Sequence, residues 1–164
     1  MKLLSMLAIT ALVCSFANPM HVQASESTCV ESVIETVDQT LAFEDTLLTL
    51  INDERAKHGL APYMLDMAVD AASDARVAEV KSYFAHSRNG GESFATILFE
   101  YGISFTSASE VLAAGQTSPE LVLNDWLNSP GHAGRILSSK YTRVGISHER
   151  TEDGMDYWEI LFIN

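Results

Sequence analysis

The chain has 164 residues, 47% apolar and 20% charged, with 22 acidic side chains against 10 Lys and Arg and a net charge of −12. That composition describes a chain able to build a globular core, and its sign repels phosphate backbones, which argues against nucleic acid as a partner. Two cysteines are too few for a fold built on disulfides.

In chain order, Lys2 is followed by an uncharged apolar run, Leu3–Phe16, and then by Val22-Gln23-Ala24 before Ser25. A basic start, an apolar middle and small residues at a cleavage point predict a signal peptide over Met1–Ala24 and a secreted product. The apolar run is shorter than the roughly 20 residues a spanning helix needs. Cleavage would remove Cys14 and leave Cys29 alone, as a free thiol or one half of an intermolecular disulfide. Residues 25–40 are acidic and lack aromatics, yet Val30, Val33, Ile34 and Val37 keep a helical stripe. They read as a linker or as a helix laid on the domain that follows, which is assigned to residues 41–164.

Leu41–His58 is the first helix, with Leu47, Leu48, Ile51 and Arg55 at helical spacing and Gly59 supplying the left-handed stop. A second helix is expected over Met67–Ser82, capped by Asp66, with a face of small residues including Ala68, Ala71, Ala72 and Ala75. Asn89-Gly90-Gly91 marks a turn, Ser93–Tyr101 a short helix ending at Gly102, and Ser107–Ala114 a short strand or extended segment carrying Glu110. Ser118-Pro119-Glu120 opens another helix, in which Leu121, Val122, Trp126 and Leu127 share a face. Pro130-Gly131 breaks it just before His132. The tail reads as a hairpin, Val144–His148 and Tyr157–Ile163 around Glu152-Asp153-Gly154. Helices around a small, mostly antiparallel sheet give an α+β fold, a three-layer α-β-α sandwich. Trp126 and Trp158 fall on apolar faces and read as core; His148 reads as solvated.

Candidate chemistry centres on His86 and His132, which follow breaks between packed segments, and on Glu110, the single charge in the stretch from Ile103 to Pro119. A carboxylate in such a setting needs a partner, since burying it alone is costly. His58 suits the negative end of its helix and reads as structural. No Ser-His-Asp or local metal motif is present, and Ser87 is only a sequence neighbour of His86.

The stretches FAHS, SEVLAAGQTSPE and WLNSPGHAGRIL, together with LINDERAKHGLAPYMLD, YTRVGIS and YWEILF, resemble a bacterial member of the CAP superfamily. This is the SCP-like extracellular domain of cysteine-rich secretory proteins, antigen 5 and plant pathogenesis-related proteins. The resemblance covers about Leu41–Asn164 and implies an α-β-α sandwich with a central cleft of two histidines and two acids that in some members takes a divalent cation. It matches His86 to the first histidine, Glu110 to the glutamate of a Gly-Glu-Asn motif, and His132 to the second histidine. Several positions depart from the pattern. Gly-Glu-Asn is here Ser109-Glu110-Val111, and the second acid of animal members, three residues after the helix Trp, falls on Ser129. The Arg after the second histidine is Ala133, and the Asn two further on is Arg135; Asp125 is a misplaced substitute for the missing acid.

Two functions follow as expectations. One is a secreted, non-enzymatic binding module whose cleft (His86, Ser87, Glu110, His132) takes a small ligand, lipid, glycan or secreted or cell-surface protein, or holds zinc or another divalent cation on His86, Glu110 and His132. The other is a metal-dependent hydrolase, directed at peptides or cell wall, with Glu110 as base.

Overall fold

The computed structural model describes residues 42–164. The expected signal peptide, the 25–40 segment and Cys29 lie outside the described residues.

Helix α1 (residues 42–57) stops at Gly59, whose φ of +69° is the left-handed conformation expected there. A two-residue strand β1 (Met64–Leu65) follows, then α2 (Met67–Ser82), α3 (Thr96–Glu100) and β2 (Ala108–Ala114). The chain continues through α4 (Pro119–Asn128), α5 (Pro130–Ile136), β3 (Arg143–Arg150) and β4 (Asp156–Ile163). The strands form one sheet in the order β1-β3-β4-β2, with β1 parallel to β3 and the other pairs antiparallel.

Strand β4 occupies the interior of the sheet, and its period-2 alternation sorts side chains into two cores. Trp158, Ile160 and Phe162 face a cluster with Leu47 and Ile51 of α1, Val122 and Trp126 of α4, and Ile136 of α5. Leu161 and Ile163 face the opposite way, against Val69 and Ala72 of α2 and Ile97 and Leu98 of α3. Two apolar clusters back to back across one sheet make the three-layer sandwich. Both tryptophans are buried, and each places its indole N–H on a carbonyl: Trp126 on Leu112 at 3.1 Å and Trp158 on Gln116 at 2.7 Å.

Local chemistry explains most boundaries. The Asp66 carboxylate accepts from the backbone N–H groups of Ala68 and Val69 and also from Arg143, tying the start of α2 to β3. The Ser118 hydroxyl accepts from Leu121 N–H, and Pro119 fills the first helical position of α4. Gly145 lets α2 lie directly on the sheet: a Cβ there would fall 2.3 Å from Val69 backbone atoms.

Three features differ from the sequence reading. Strand β1 leaves no signal in the sequence, because two residues carry no periodicity and their pairing depends on docking of the preceding loop. The expected Ser93–Tyr101 helix is helical only over Thr96–Glu100, with a turn before it. His148, expected in solvent, is buried; Phe43 and Trp158 pack on its ring, and its Nε2 lies 2.8 Å from Asp156 Oδ1.

Candidate functional site

Glu110 sits in β2, an edge strand of the sheet, on the face covered by α2. Its side chain is almost fully buried, and its two oxygens meet a guanidinium: Arg76 Nε donates to Oε2 at 3.1 Å and Arg76 Nη2 to Oε1 at 3.3 Å. Arg76 itself has no exposed surface. His86 Nδ1 lies 3.1 Å from Glu110 Oε1, while 54% of the imidazole side chain remains exposed. A buried carboxylate therefore anchors a ring that faces outward. With Glu110 ionised the carboxylate only accepts, so Nδ1 carries the proton of that bond. Burial pushes the Glu110 carboxyl up from its ordinary value, and the bonds and charges of Arg76 and then His86 oppose that shift.

The segment bearing His86 is tied down on both sides. Arg76 Nη2 donates to Ala85 O at 2.6 Å. Arg88 Nε donates to both oxygens of Glu79 on α2 at 3.0 Å, and its Nη1 reaches Thr96 on α3 and Glu100. Ser87 is engaged through its backbone, bridging Ser93 across the Gly90-Gly91 turn.

His132 arrives from the other layer, in the first turn of α5. It is half-buried and lies within electrostatic range of His86; burial holds its pKa below the usual histidine range, with the positive charges of Arg135 and His86 acting the same way. Arg135 braces this side, donating from Nε to Ser109 Oγ at 2.9 Å and from Nη1 to Gly131 O at 2.6 Å. His86 thus stands over Glu110 on one side of β2, while α5, the helix that carries His132, is bonded to Ser109 of the same strand through Arg135. Asp125 is occupied elsewhere, accepting from Gln116 Nε2 at 2.9 Å, and Ser129 is the residue before α5.

The zinc or other divalent ion expected on His86, Glu110 and His132 meets a different arrangement. The cation at Glu110 is the Arg76 guanidinium, which would repel a metal ion approaching either oxygen. Among the described residues no group of three or more His, Cys, Asp or Glu side chains is placed to hold one. The donor set does not fit a metal centre of the three-ligand type. Sequence reasoning missed Arg76 because α2 was read through its alanines; a cation on the stripe of Val69, Ala72, Ser73 and Val77 was the available signal. It also missed Glu159, an acid inside the apolar run of β4.

A family model described as "Cysteine-rich secretory protein family" matches residues 48–162. The chain belongs to the CAP family. YkwD, an uncharacterized protein of Bacillus subtilis, is 34% identical to it over 124 residues, covering 74% of this chain and 47% of YkwD. The B. subtilis membrane protein YlbC, also uncharacterized, is 31% identical over 65% of this chain and 32% of its own length. The CAP domain here thus spans less than half of those relatives. Among solved structures, an outer surface protein of Borrelia burgdorferi superposes with a TM-score of 0.68 at 24% identity, covering 73% of this chain and 90% of that one. An extracellular SCP-domain protein of Bacillus anthracis gives the same TM-score at 23% identity, over 76% of this chain and 41% of its own. At those identities the likeness establishes the shared CAP fold.

Proposed function

We propose that this CAP domain is an extracellular, non-enzymatic binding module whose ligand is taken by the imidazoles of His86 and His132 at the β2 edge. The observation that carries the reading is the seating of His86. A half-exposed ring rests on a carboxylate that is itself buried and held by a buried arginine, so the ring is oriented before any ligand arrives. His132, favouring its neutral form, adds a second imidazole able to donate or accept. Outward-facing hydrogen-bonding groups suit a small polar ligand such as a glycan fragment. The extracellular assignment draws support from the leader-like start of the sequence and from relatives described as outer-surface or extracellular proteins.

The alternative, a metal-dependent hydrolase, requires Glu110 to act as base on a metal-bound water. Both of its oxygens already accept from Arg76, and Oε1 also faces His86, which favours support over proton abstraction. The test follows the ring resonances of His86 and His132 by NMR as soluble cell-wall fragments are added, and repeats the titration with zinc chloride. The same fragments and a peptide panel are assayed for cleavage with and without chelator. Saturable shifts at both rings with the glycan-bearing fragments, without turnover, are expected. Cleavage lost on chelation and in Glu110→Gln, or rings unmoved by every fragment, would overturn the reading.

A further inference from the structure

A second buried acid stands beside Glu110. In the β2–β4 register Glu110 pairs with Leu161 and Leu112 with Glu159, so the two glutamates are diagonal neighbours on the face under α2. Successive turns of α2 serve them: Ser73 donates to Glu159 Oε2, and Arg76 donates to Glu110. Glu159 has no exposed surface, and its Oε1 has no hydrogen-bond partner among the described residues. Every described donor bond of Arg76 goes elsewhere, to Glu110, Glu79 and Ala85 O.

We propose that Glu159 is a second functional carboxyl group of this site, a positioning residue that shares the field of Arg76 with Glu110 and so sets how firmly Glu110 holds His86. The inference rests on His86 being the ligand-facing residue of the site. An ionised carboxylate with an unpartnered oxygen at this depth is too costly, so Glu159 keeps a proton. Burial pushes its pKa well up, and the negative charge of Glu110 adds to that shift. The groups around it act in both directions. Ser73 and Arg76 on α2 favour ionisation, Asp74 on α2 and Glu110 on β2 oppose it, and Ser147 on β3 is bonded to Asp74 at 2.6 Å. While Glu159 holds its proton, Arg76 serves Glu110 alone. Once Glu159 ionises, two anions compete for one guanidinium, and Glu110 turns more of its charge toward His86.

The experiment uses the ligand-free protein, so its outcome is independent of whether a glycan binds. The His86 ring and the glutamate carboxyl carbons are followed by NMR against pH in the parent, Glu159→Gln and Ser73→Ala. The His86 ring of the parent should report an inflection that coincides with the Glu159 carboxyl, hereafter the second inflection, and Glu159→Gln should abolish it. Ser73→Ala removes a bond that favours the ionised form, so the second inflection should move up by about one pH unit. His86 curves that superimpose in the parent and a folded Glu159→Gln overturn the proposal, as does a Glu159 carboxyl titrating at the ordinary value of about 4.3. Should Glu159→Gln not fold, a Glu159 inflection unmoved by Ser73→Ala overturns it as well.

Discussion

Arg76→Met tests the electrostatic support of the site most directly. Methionine keeps most of the length and apolar bulk of arginine while removing the charge. The pair it breaks is buried on both sides, with side-chain exposures of 0% for Arg76 and 1% for Glu110. Removing one member of such a pair leaves an uncompensated charge and costs about 3–5 kcal/mol. Ala85 O also loses its Arg76 donor, and among the described residues the half-exposed His86 is the partner left at Glu110. Some of the cost will appear as proton uptake. Burial already raises the Glu110 pKa against the pull of Arg76, so losing Arg76 raises it further. A raised acid keeps its proton in the folded state while the unfolded chain gives it up above about pH 4.3. Stability therefore falls as pH climbs from there through the folded pKa and is flat beyond it. Urea denaturation should show a loss of about 3–5 kcal/mol at pH 7.5, shrinking toward about 1 kcal/mol near pH 4 as the carboxyl becomes neutral in both states. Arg76→Met combined with Glu110→Gln should recover most of the loss. A cost under about 1 kcal/mol at pH 7.5, or no recovery in the double variant, would refute the argument.

The remaining predictions concern how α2 is seated. Gly145→Ala should cost about 3 kcal/mol or prevent folding, since its methyl would lie 2.3 Å from Val69 C and O and 2.5 Å from Asp70 N, all backbone atoms; a melting temperature within two degrees of the parent would show that α2 lifts freely. Glu159→Gln should stabilise the protein increasingly with pH. The parent's raised carboxyl loses stability between the unfolded and folded pKa values, by up to about 1.4 kcal/mol per pH unit, and glutamine does not titrate. Denaturation at pH 5 and pH 8 measures the difference, and a variant less stable than the parent at pH 8 contradicts the assignment.

Where the sequence was legible, a local chemical rule with one solution was at work. The Asp66 cap and the Ser118-Pro119 start each fix a helix end, and the turn at Gly154, with φ of +86°, sets the β3–β4 hairpin. The tryptophans were readable as core because each lies on an apolar stripe. His86, Glu110 and His132 were singled out from the family resemblance and from the isolation of one acid in an uncharged stretch. Arg76 was not, because its pairing spans 34 residues and depends on how α2 is seated on the sheet. The same holds for His148: strand alternation points it inward, but nothing local announces Asp156 as the group that makes its burial tolerable. Long-range polar pairing leaves no periodic trace.

The two faces of the sheet are held in different ways, and that difference fixes the site. Against α1, α4 and α5 the sheet is largely apolar, and apolar packing tolerates small slips. Against α2 it presents a ladder of directed contacts: Asp70 to Ile146 N–H at 3.1 Å, Ser147 to Asp74 at 2.6 Å, Ser73 to Glu159, and Arg76 to Glu110. Their spacing along the helix follows its turns, so sliding α2 by a single residue would break all four at once. The segment carrying His86 leaves the end of that helix, and its position over β2 is inherited from the ladder. The opposite face has directed bonds of its own, from Trp126 to Leu112 O and from Arg135 to Ser109, but the four-rung ladder lies on the α2 side, where a buried carboxylate meets an outward-facing imidazole. The groups that hold α2 in register and the groups that orient His86 overlap in Arg76 and Glu110, so substitutions there will alter fold stability and site geometry together.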